Sequence, residues 1–146
     1  DDVESRGLGD VYKRQILEVR IALDTLAATL CAERITDEEI ASLGEIVERL
    51  GAAQTIDQAV RAAYDFQHEF ALLSGNTLIP LIFCSFKVAV TSLWERFCIL
   101  YGIPALYENT YKLWTFLKNR DLNGAVSWID KSVRESIDGN RKIYYE

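Results

Sequence analysis

The side chains best suited to chemistry lie near the centre of the chain, in residues 63–76, which hold its only histidine, His68. Asp65 stands three positions before His68 and would be the nearest second ligand for a metal ion. A transition-metal site needs several imidazole, thiolate or carboxylate ligands, and one histidine without imidazole partners is a poor start. We therefore expect His68 to be a partly exposed helix residue beside Asp65 and Glu69, and we expect no metal cofactor.

Catalytic chemistry has equally little support in the sequence. A Ser/His/Asp or Cys/His set would have to use His68, and no nucleophile elbow or oxyanion turn surrounds it. Glycine-rich phosphate-binding loops are absent from the sequence. The paired carboxylates Glu38 and Glu39 follow Thr36 in a capping-box pattern, which gives them a structural role at a helix start. The sequence does not favour an enzyme.

Charge and cysteine usage narrow the class of protein further. The net charge is −6, and the Lys and Arg residues form no stripe of the kind that neutralises nucleic-acid phosphates. The three cysteines, Cys31, Cys84 and Cys98, lack C-x-x-C spacing and lie inside apolar helical patterns. Such a set favours reduced core thiols in a cytoplasmic protein.

Helices must position these residues, because apolar side chains recur at helical spacing from Ile16 onward. The longest predicted helix covers about residues 78–101 and is apolar on nearly every side, so it should be surrounded or divided between the core and a dimer face. Its apolar run is interrupted by Pro80 and Lys87 and is shorter than the ~20 residues of a membrane span. The predicted fold is all-α, a single antiparallel bundle of about six helices.

Residues 1–15 stand apart from this pattern, because they show no helical or strand period. The piece GDVYKRQ resembles a non-native tail found at the truncated ends of assembled environmental sequences. We expect residues 1–15 to be a non-native or disordered tail and the native protein to extend further upstream. The ligand-binding and dimerisation domain would then occupy residues 16–140.

Three pieces of sequence, in a fixed order, carry a family resemblance. They are Leu17-Glu18-Val19-Arg20 with Asp24, Ala28 and Ala32-Glu33-Arg34; Phe66 with Leu73-Ser74-Gly75-Asn76; and Asp121 with Ala125. Together they resemble the C-terminal domain of FadR-type regulators in the GntR family, the domain called FCD, over about residues 16–135. The resemblance implies an all-α effector-binding and dimerisation domain. In such regulators it follows an N-terminal winged helix that binds operator DNA, and we expect that half to lie upstream of this sequence.

The resemblance also locates the place where a metal would be held. Many members of the family bind a metal ion with one Asp and three His. Counted back from Asn76, the first two ligand positions fall on Ala63 and Gln67, the third on Thr110 (or Tyr111) and the fourth near Ser132. None of these side chains supplies the family's ligand chemistry, so a metal-free site is expected.

Without the metal, the resemblance implies a cavity of aromatic and neutral polar groups, as in the fatty-acid-responsive branch of the family, which takes acyl-CoA. Arg20 would anchor a carboxylate or phosphate, because a buried guanidinium favours a bidentate acidic partner. Two alternatives stay open: the aromatic residues are plain core, or Arg20 pairs with a helix carboxylate. The predicted ligand-binding set is Arg20, Ala63, Phe66, Gln67, Phe70, Thr110, Tyr111, Trp114 and Ser132.

Two functions from different classes follow. The first is the effector-binding domain of a GntR/FadR-type regulator: a homodimer that senses a small organic acid or an acyl-CoA-like metabolite and reaches DNA only through the missing N-terminal domain. The second is a stand-alone helical interaction module with a solid core, which predicts no cavity larger than ~300 Å³. A metal-dependent helical enzyme is a distant third.

Overall fold

The computed structural model describes residues 2–139 and 141–142, with side chains from residue 11 onward. Within these residues the chain forms seven helices and no strand. The helices are α1 (Asp2–Arg34), α2 (Asp37–Gly51), α3 (Ile56–Leu73), α4 (Leu78–Ser85), α5 (Lys87–Tyr101), α6 (Ile103–Lys118) and α7 (Leu122–Ile137). The prediction of an all-α bundle is confirmed.

The helix count differs from the prediction because the expected helix over residues 78–101 is two helices. α4 and α5 meet at Phe86 and are bent by 67°. Neither glycine nor a mid-helix proline marks this break in the sequence. Instead, the Ser85 hydroxyl donates to the Ile82 carbonyl (2.6 Å), and the Phe86 amide turns back to the Phe83 carbonyl (3.1 Å). The bend brings Phe83 and Val90 into the same core cluster.

Membrane-spanning potential is confined to this bent pair. Among the described residues, no single helix has the length and apolar character to cross a bilayer, and α4 with α5 meets that test only when the two are taken together.

The first helix is longer than the periodicity indicated. α1 begins at Asp2, so residues 2–15 are helical although they lack an apolar stripe. Near the end of this segment, Arg14 lies 3.9 Å from Asp138. Helical structure does not bear on whether residues 1–15 are native, and their non-native origin stays a prediction.

The predicted helix starts are confirmed at three positions. The Thr36 hydroxyl accepts from the Glu39 amide (3.1 Å), while the Glu39 carboxylate accepts from the Thr36 amide (2.9 Å), which completes the capping box of α2. The Thr55 hydroxyl caps α3 by accepting from the Gln58 amide (3.2 Å), and the Asp121 carboxylate caps α7 by accepting from the Gly124 amide (2.9 Å).

The corner between α3 and α4 depends on Gly75, which has a φ of +77°. Any side chain there would be strained by that φ, and its Cβ would meet Arg34 Nη1. Arg34 holds the corner from α1, since Nη1 donates to the Ser74 carbonyl (2.9 Å). This corner therefore ties the end of α3 to the end of α1.

The core consists of two clusters of buried side chains. One gathers around α5 and includes Leu17, Leu93 and Val133, and the other lies against α2 and includes Phe66 and Leu113. The helices α1, α3, α6 and α7 contribute to both clusters. A cavity lies where the two clusters meet.

Candidate functional site

The cavity is enclosed by side chains of α1, α3, α5, α6 and α7. The cavity volume is about 50 Å³, whereas a cavity needs roughly 10–15 Å³ to hold one water molecule. A few waters or a small organic molecule would therefore fill it. Its wall is made by Ile16, Leu17, Arg20, Asp24, Gln67, Val90, Leu93, Trp94, Phe97, Leu106, Asn109, Thr110, Leu113, Trp128, Ile129, Ser132, Val133 and Ser136.

An ion pair on α1 supplies the charge of this cavity. Arg20 and Asp24 are one helical turn apart, and Nε of Arg20 lies 3.3 Å from Oδ2 of Asp24. The side chain of Asp24 is only 8% exposed and that of Arg20 is 18% exposed. Burial raises the pKa of Asp24 to about 6, against the opposing effect of the Arg20 charge. The alternative in which Arg20 pairs with a helix carboxylate is thus realised.

Gln67 completes a three-residue polar cluster with this pair. The oxygen and nitrogen of the Gln67 amide are assigned from the hydrogen-bond partners that each atom faces. The Gln67 nitrogen then donates to Asp24 Oδ1 (3.1 Å), and its oxygen accepts from Arg20 Nη2 (3.1 Å). The side chain of Gln67 is buried on α3, and these contacts satisfy both ends of its amide. We call Arg20, Asp24 and Gln67 the polar triad.

Arg20 retains unused hydrogen-bonding capacity. Its Nε is buried, lies 3.3 Å from Asp24 Oδ2 and makes no hydrogen bond among the described residues. The guanidinium carbon lies 5.2 Å from the ring centre of Trp94, at cation–π distance. Trp94 thus packs against the guanidinium from the α5 side.

The rest of the polar wall is neutral. The hydroxyls of Thr110 and Ser132 donate to backbone carbonyls of their own helices, at 3.1 Å and 3.4 Å. The Trp128 indole donates to the Asn109 carbonyl (2.9 Å), which joins α7 to α6 beside the cavity. Ser136 is buried further along α7. Hydroxyl oxygens that donate to carbonyls keep lone pairs that can accept a hydrogen bond.

The residues at the four metal-ligand positions of the family do not fit a metal ion. Gln67, Thr110 and Ser132 meet in the cavity, while Ala63 is buried in the neighbouring core cluster and is not part of the wall. These three contribute amide and hydroxyl groups, and the carboxylate of Asp24 is already paired with Arg20. Across the described part of the chain, no group of three or more His, Cys, Asp or Glu side chains is placed to hold a metal.

The structure brings together four of the nine predicted ligand-binding residues, namely Arg20, Gln67, Thr110 and Ser132. The other five do not line the cavity: Ala63, Phe66, Phe70, Tyr111 and Trp114.

These five side chains lie in the core, against α2 or at the surface. Ala63, Phe66 and Phe70 are buried in the core. Trp114 turns toward α2, where its indole donates to the Ile40 carbonyl (2.9 Å), and Tyr111 is 43% exposed. The aromatic residues are therefore core and surface, as the alternative interpretation held.

His68 lies away from the cavity. It is half-buried, and its ring stacks on Tyr64 with a centroid distance of 6.0 Å. The Tyr64 hydroxyl donates to Cys84 Sγ (3.3 Å). Cys84 is exposed, so the prediction of three core thiols is wrong for this residue.

The other two cysteines are free and buried, as predicted. Burial raises the pKa of Cys31 to about 12 and the pKa of Cys98 to about 11, which keeps both thiols protonated.

Sequence reasoning missed Asp24 as a site residue and recorded it only within the family's opening motif. A signal was present, since Asp24 follows Arg20 by four positions on the stripe that carries Leu17 and Ala28. Two charges on the apolar face of a helix must pair with each other or with a ligand. The sequence did not indicate that Trp94 would contact Arg20, because the position of Trp94 depends on the bend at Phe86.

Comparison with known families adds one match. A family model described as FCD domain matches residues 15–134, which is most of the chain and includes the whole polar wall except Ser136. The search of curated proteins returned no match.

Proposed function

The chain belongs to the FCD domain family, the effector-binding domain of GntR-type transcription regulators, and we propose that its cavity binds a small organic acid without a metal ion. The observation that carries this proposal is the guanidinium of Arg20, which lies in the wall of the cavity. A carboxylate is the partner best matched to such a donor, since charge-assisted hydrogen bonds are the strongest that a guanidinium makes.

The size of the cavity favours a small acid over an acyl-CoA. About 50 Å³ is available, whereas pockets for drug-sized ligands occupy roughly 300–1,000 Å³. A carboxylate with a short or compact carbon skeleton fits beside Leu93 and Leu113, and a long acyl chain would require the helices to separate.

The cavity volume of about 50 Å³ lies below the ~300 Å³ limit that the module with a solid core predicts, so cavity size by itself does not favour the sensor. Family membership favours the sensor, because FCD domains of GntR regulators bind small-molecule effectors and the full-length proteins bind DNA. The family is regulatory rather than enzymatic.

The effector would act through α1, which carries Arg20 and Asp24. A ligand shifts a conformational equilibrium only by its differential affinity for the two states. A carboxylate that draws Arg20 away from Asp24 would change the packing of α1 against α3 and α5. In the full-length, cytoplasmic regulator, that change would reach the DNA-binding domain.

Calorimetry on the EDTA-treated protein tests this function. Acetate, propionate, butyrate and benzoate are titrated against wild type and the Arg20→Gln variant. At least one acid should bind wild type, and Arg20→Gln should weaken it by about 10–100-fold, because a hydrogen bond to a charged group contributes about 1.5–3 kcal/mol. Arg61→Gln is the matched control, since Arg61 pairs with Asp57 in an exposed i, i+4 pair on α3.

Two outcomes would contradict the function. If none of the four acids binds to wild type at millimolar concentration, the cavity is not an organic-acid site. If binding appears only after Zn²⁺ or Ni²⁺ is added, the metal-free site is wrong.

A homodimer completes the proposal and has support from the bent pair of helices. α4 and α5 expose six large hydrophobic side chains, each at least 40% exposed: Leu78, Leu81, Ile82, Val88, Ile99 and Leu100. Contiguous exposed apolar patches mark interaction sites, and these side chains are the candidates for such a patch on α4 and α5. Their presence agrees with the expected division of this region between the core and a dimer face.

Light scattering after size-exclusion chromatography tests the dimer. Wild type should elute at twice the 16.6 kDa chain mass, and the double variant Leu81→Glu/Val88→Glu should be monomeric. Leu72→Glu is the control, since Leu72 is 48% exposed on α3. A monomeric wild type would refute the interface.

A further inference from the structure

We propose that the cavity takes up its anionic ligand together with one proton, which Asp24 accepts. The inference rests on the proposed function, because it specifies the ionic form in which that site binds its acid. A monocarboxylate would replace Asp24 as the anionic partner of Arg20. The proton comes from solvent and adds to an Asp24 carboxylate oxygen, so the cavity is electrically neutral before and after binding.

Geometry makes two ionised carboxylates costly here. Asp24 Oδ2 already lies 3.3 Å from Arg20 Nε, so a ligand carboxylate on the same guanidinium would stand close to Asp24. Two carboxylates that share one buried site raise the pKa of one of them, because the like charges repel in a low dielectric. One guanidinium cannot neutralise both.

Among the residues that the structure describes, no second cation lines the cavity to relieve this repulsion. The elements that face the pair contribute neutral groups: Gln67 from α3, Trp94 from α5, Asn109 and Thr110 from α6, and Trp128, Ser132 and Ser136 from α7. The charged side chains of the wall are Arg20 and Asp24, both on α1. A proton is therefore the available means of restoring neutrality.

Asp24 is prepared for this proton uptake. Burial has already raised the pKa of Asp24 to about 6, and the positive charge of Arg20 opposes a further rise. A ligand that occupies the guanidinium weakens that stabilising effect and adds a negative charge, and both changes raise the pKa further. Once protonated, Asp24 has an O–H that can donate to the ligand carboxylate.

The expected pH dependence has a definite sign. Below about pH 6 Asp24 is largely protonated in the free protein, so affinity for the anion should be nearly constant while the ligand itself stays ionised. Above that pH each ligand must bring a proton, and the affinity should fall by up to about tenfold per pH unit. The fall ends at the pKa of Asp24 in the complex.

Calorimetry at pH 7 in phosphate and in Tris measures the protons directly, since the two buffers differ in ionisation enthalpy. The four acids above serve as probes, with propionamide as a neutral control. We expect uptake approaching one proton per bound acid in wild type, and none in Asp24→Asn, whose affinity should not vary between pH 6 and 8. Asp57→Asn, which alters an exposed pair, should behave as wild type.

A second measurement keeps the test valid if Asp24→Asn does not fold. The ¹³C shift of the Asp24 carboxyl in wild type, titrated with and without saturating ligand, should show a higher pKa in the complex. An unchanged pKa would overturn the proposal.

The outcomes separate the two proposals. Binding of an acid with no proton uptake, and with affinity independent of pH between 6 and 8, leaves the proposed function intact and overturns the role of Asp24. Failure of all four acids to bind removes the proposed function and this inference with it.

Discussion

Arg20 Nε lies 3.3 Å from Asp24 Oδ2, and the two side chains extend from successive turns of α1 into one cavity between five helices. Exposed pairs of this spacing contribute little, since solvent screens them. A buried pair is different, because removal of one partner leaves an uncompensated charge. The behaviour of this pair toward pH and ligands is consequently the most informative property of the molecule.

Asp24 should make the stability of the domain depend on pH. Its pKa is raised from 3.8 to about 6 by burial, so the folded protein holds this proton more firmly than the unfolded chain. The stabilisation is present below about pH 4 and is lost as pH rises to about 6. Between these limits the free energy of unfolding should fall by about 2–3 kcal/mol on account of this residue.

Urea unfolding of wild type and Asp24→Asn from pH 4 to 7.5 isolates the effect. The other carboxylates titrate equally in both proteins, so the difference between the two curves reports Asp24. Asp57→Asn, which removes a carboxylate whose side chain is 71% exposed, is the matched control. A flat difference for Asp24→Asn would show that its pKa is not raised.

Three imidazoles placed in the cavity should create a metal site. Gln67, Thr110 and Ser132 line it from α3, α6 and α7, and three histidines with an open fourth position are a recurrent Zn²⁺ set. The triple variant Gln67→His/Thr110→His/Ser132→His should bind one Zn²⁺ per chain in calorimetry. Wild type should bind none at the same concentration.

The control carries three histidines at exposed positions of the same residue types, Gln58, Thr29 and Ser42. It should not form a tight site. If it binds Zn²⁺ as strongly as the cavity variant, convergence of the three positions is not what creates the affinity.

Much of the fold follows from local sequence signals. The cap at Thr36 satisfies amides that no helical carbonyl reaches, and Gly75 adopts a φ that other residues avoid. Such signals act within a few residues, so the sequence displays them. The break at Phe86 has no glycine or proline to mark it in the sequence. It is closed by hydrogen bonds from the Ser85 hydroxyl and the Phe86 amide, and Phe83 of α4 packs near Trp94 of α5 across it.

The candidate site was predictable to the extent that the family resemblance determines it. Gln67, Thr110 and Ser132 are positions that the resemblance assigned to metal ligands of the family, and all three line the cavity. The aromatic set was not, because an apolar face shows which residues are buried and leaves open whether they border a cavity or pack against each other. Phe66 and Phe70 do the latter.

The capping box of α2 should contribute measurably to stability. The Thr36 hydroxyl and the Glu39 carboxylate exchange two hydrogen bonds with backbone amides. Thr36→Ala should lower the free energy of unfolding by about 1 kcal/mol, measured by urea at pH 7. Thr29→Ala is the control, since the Thr29 hydroxyl donates to the Thr25 carbonyl within α1 and caps nothing. Equal losses in both variants would show that the cap is not formed.

Truncation of Phe66 should destabilise the domain much more than truncation of Tyr111, although both were predicted to bind ligand. Phe66 is fully buried in the core cluster against α2, so Phe66→Ala should lower the free energy of unfolding by about 3–5 kcal/mol. Tyr111 is 43% exposed and contacts Tyr107 and Trp114 at the surface. Tyr111→Ala should lower it by about 1 kcal/mol or less.

Neither substitution should change the affinity for the acid that binds wild type by more than about twofold, a difference of about 0.4 kcal/mol. Urea unfolding and calorimetry on the two variants measure both quantities, and Phe66→Leu provides a milder core change if Phe66→Ala does not fold. A loss of affinity of tenfold in Tyr111→Ala, with stability unchanged, would place Tyr111 in the ligand site and require the cavity wall to extend to the outer face of α6.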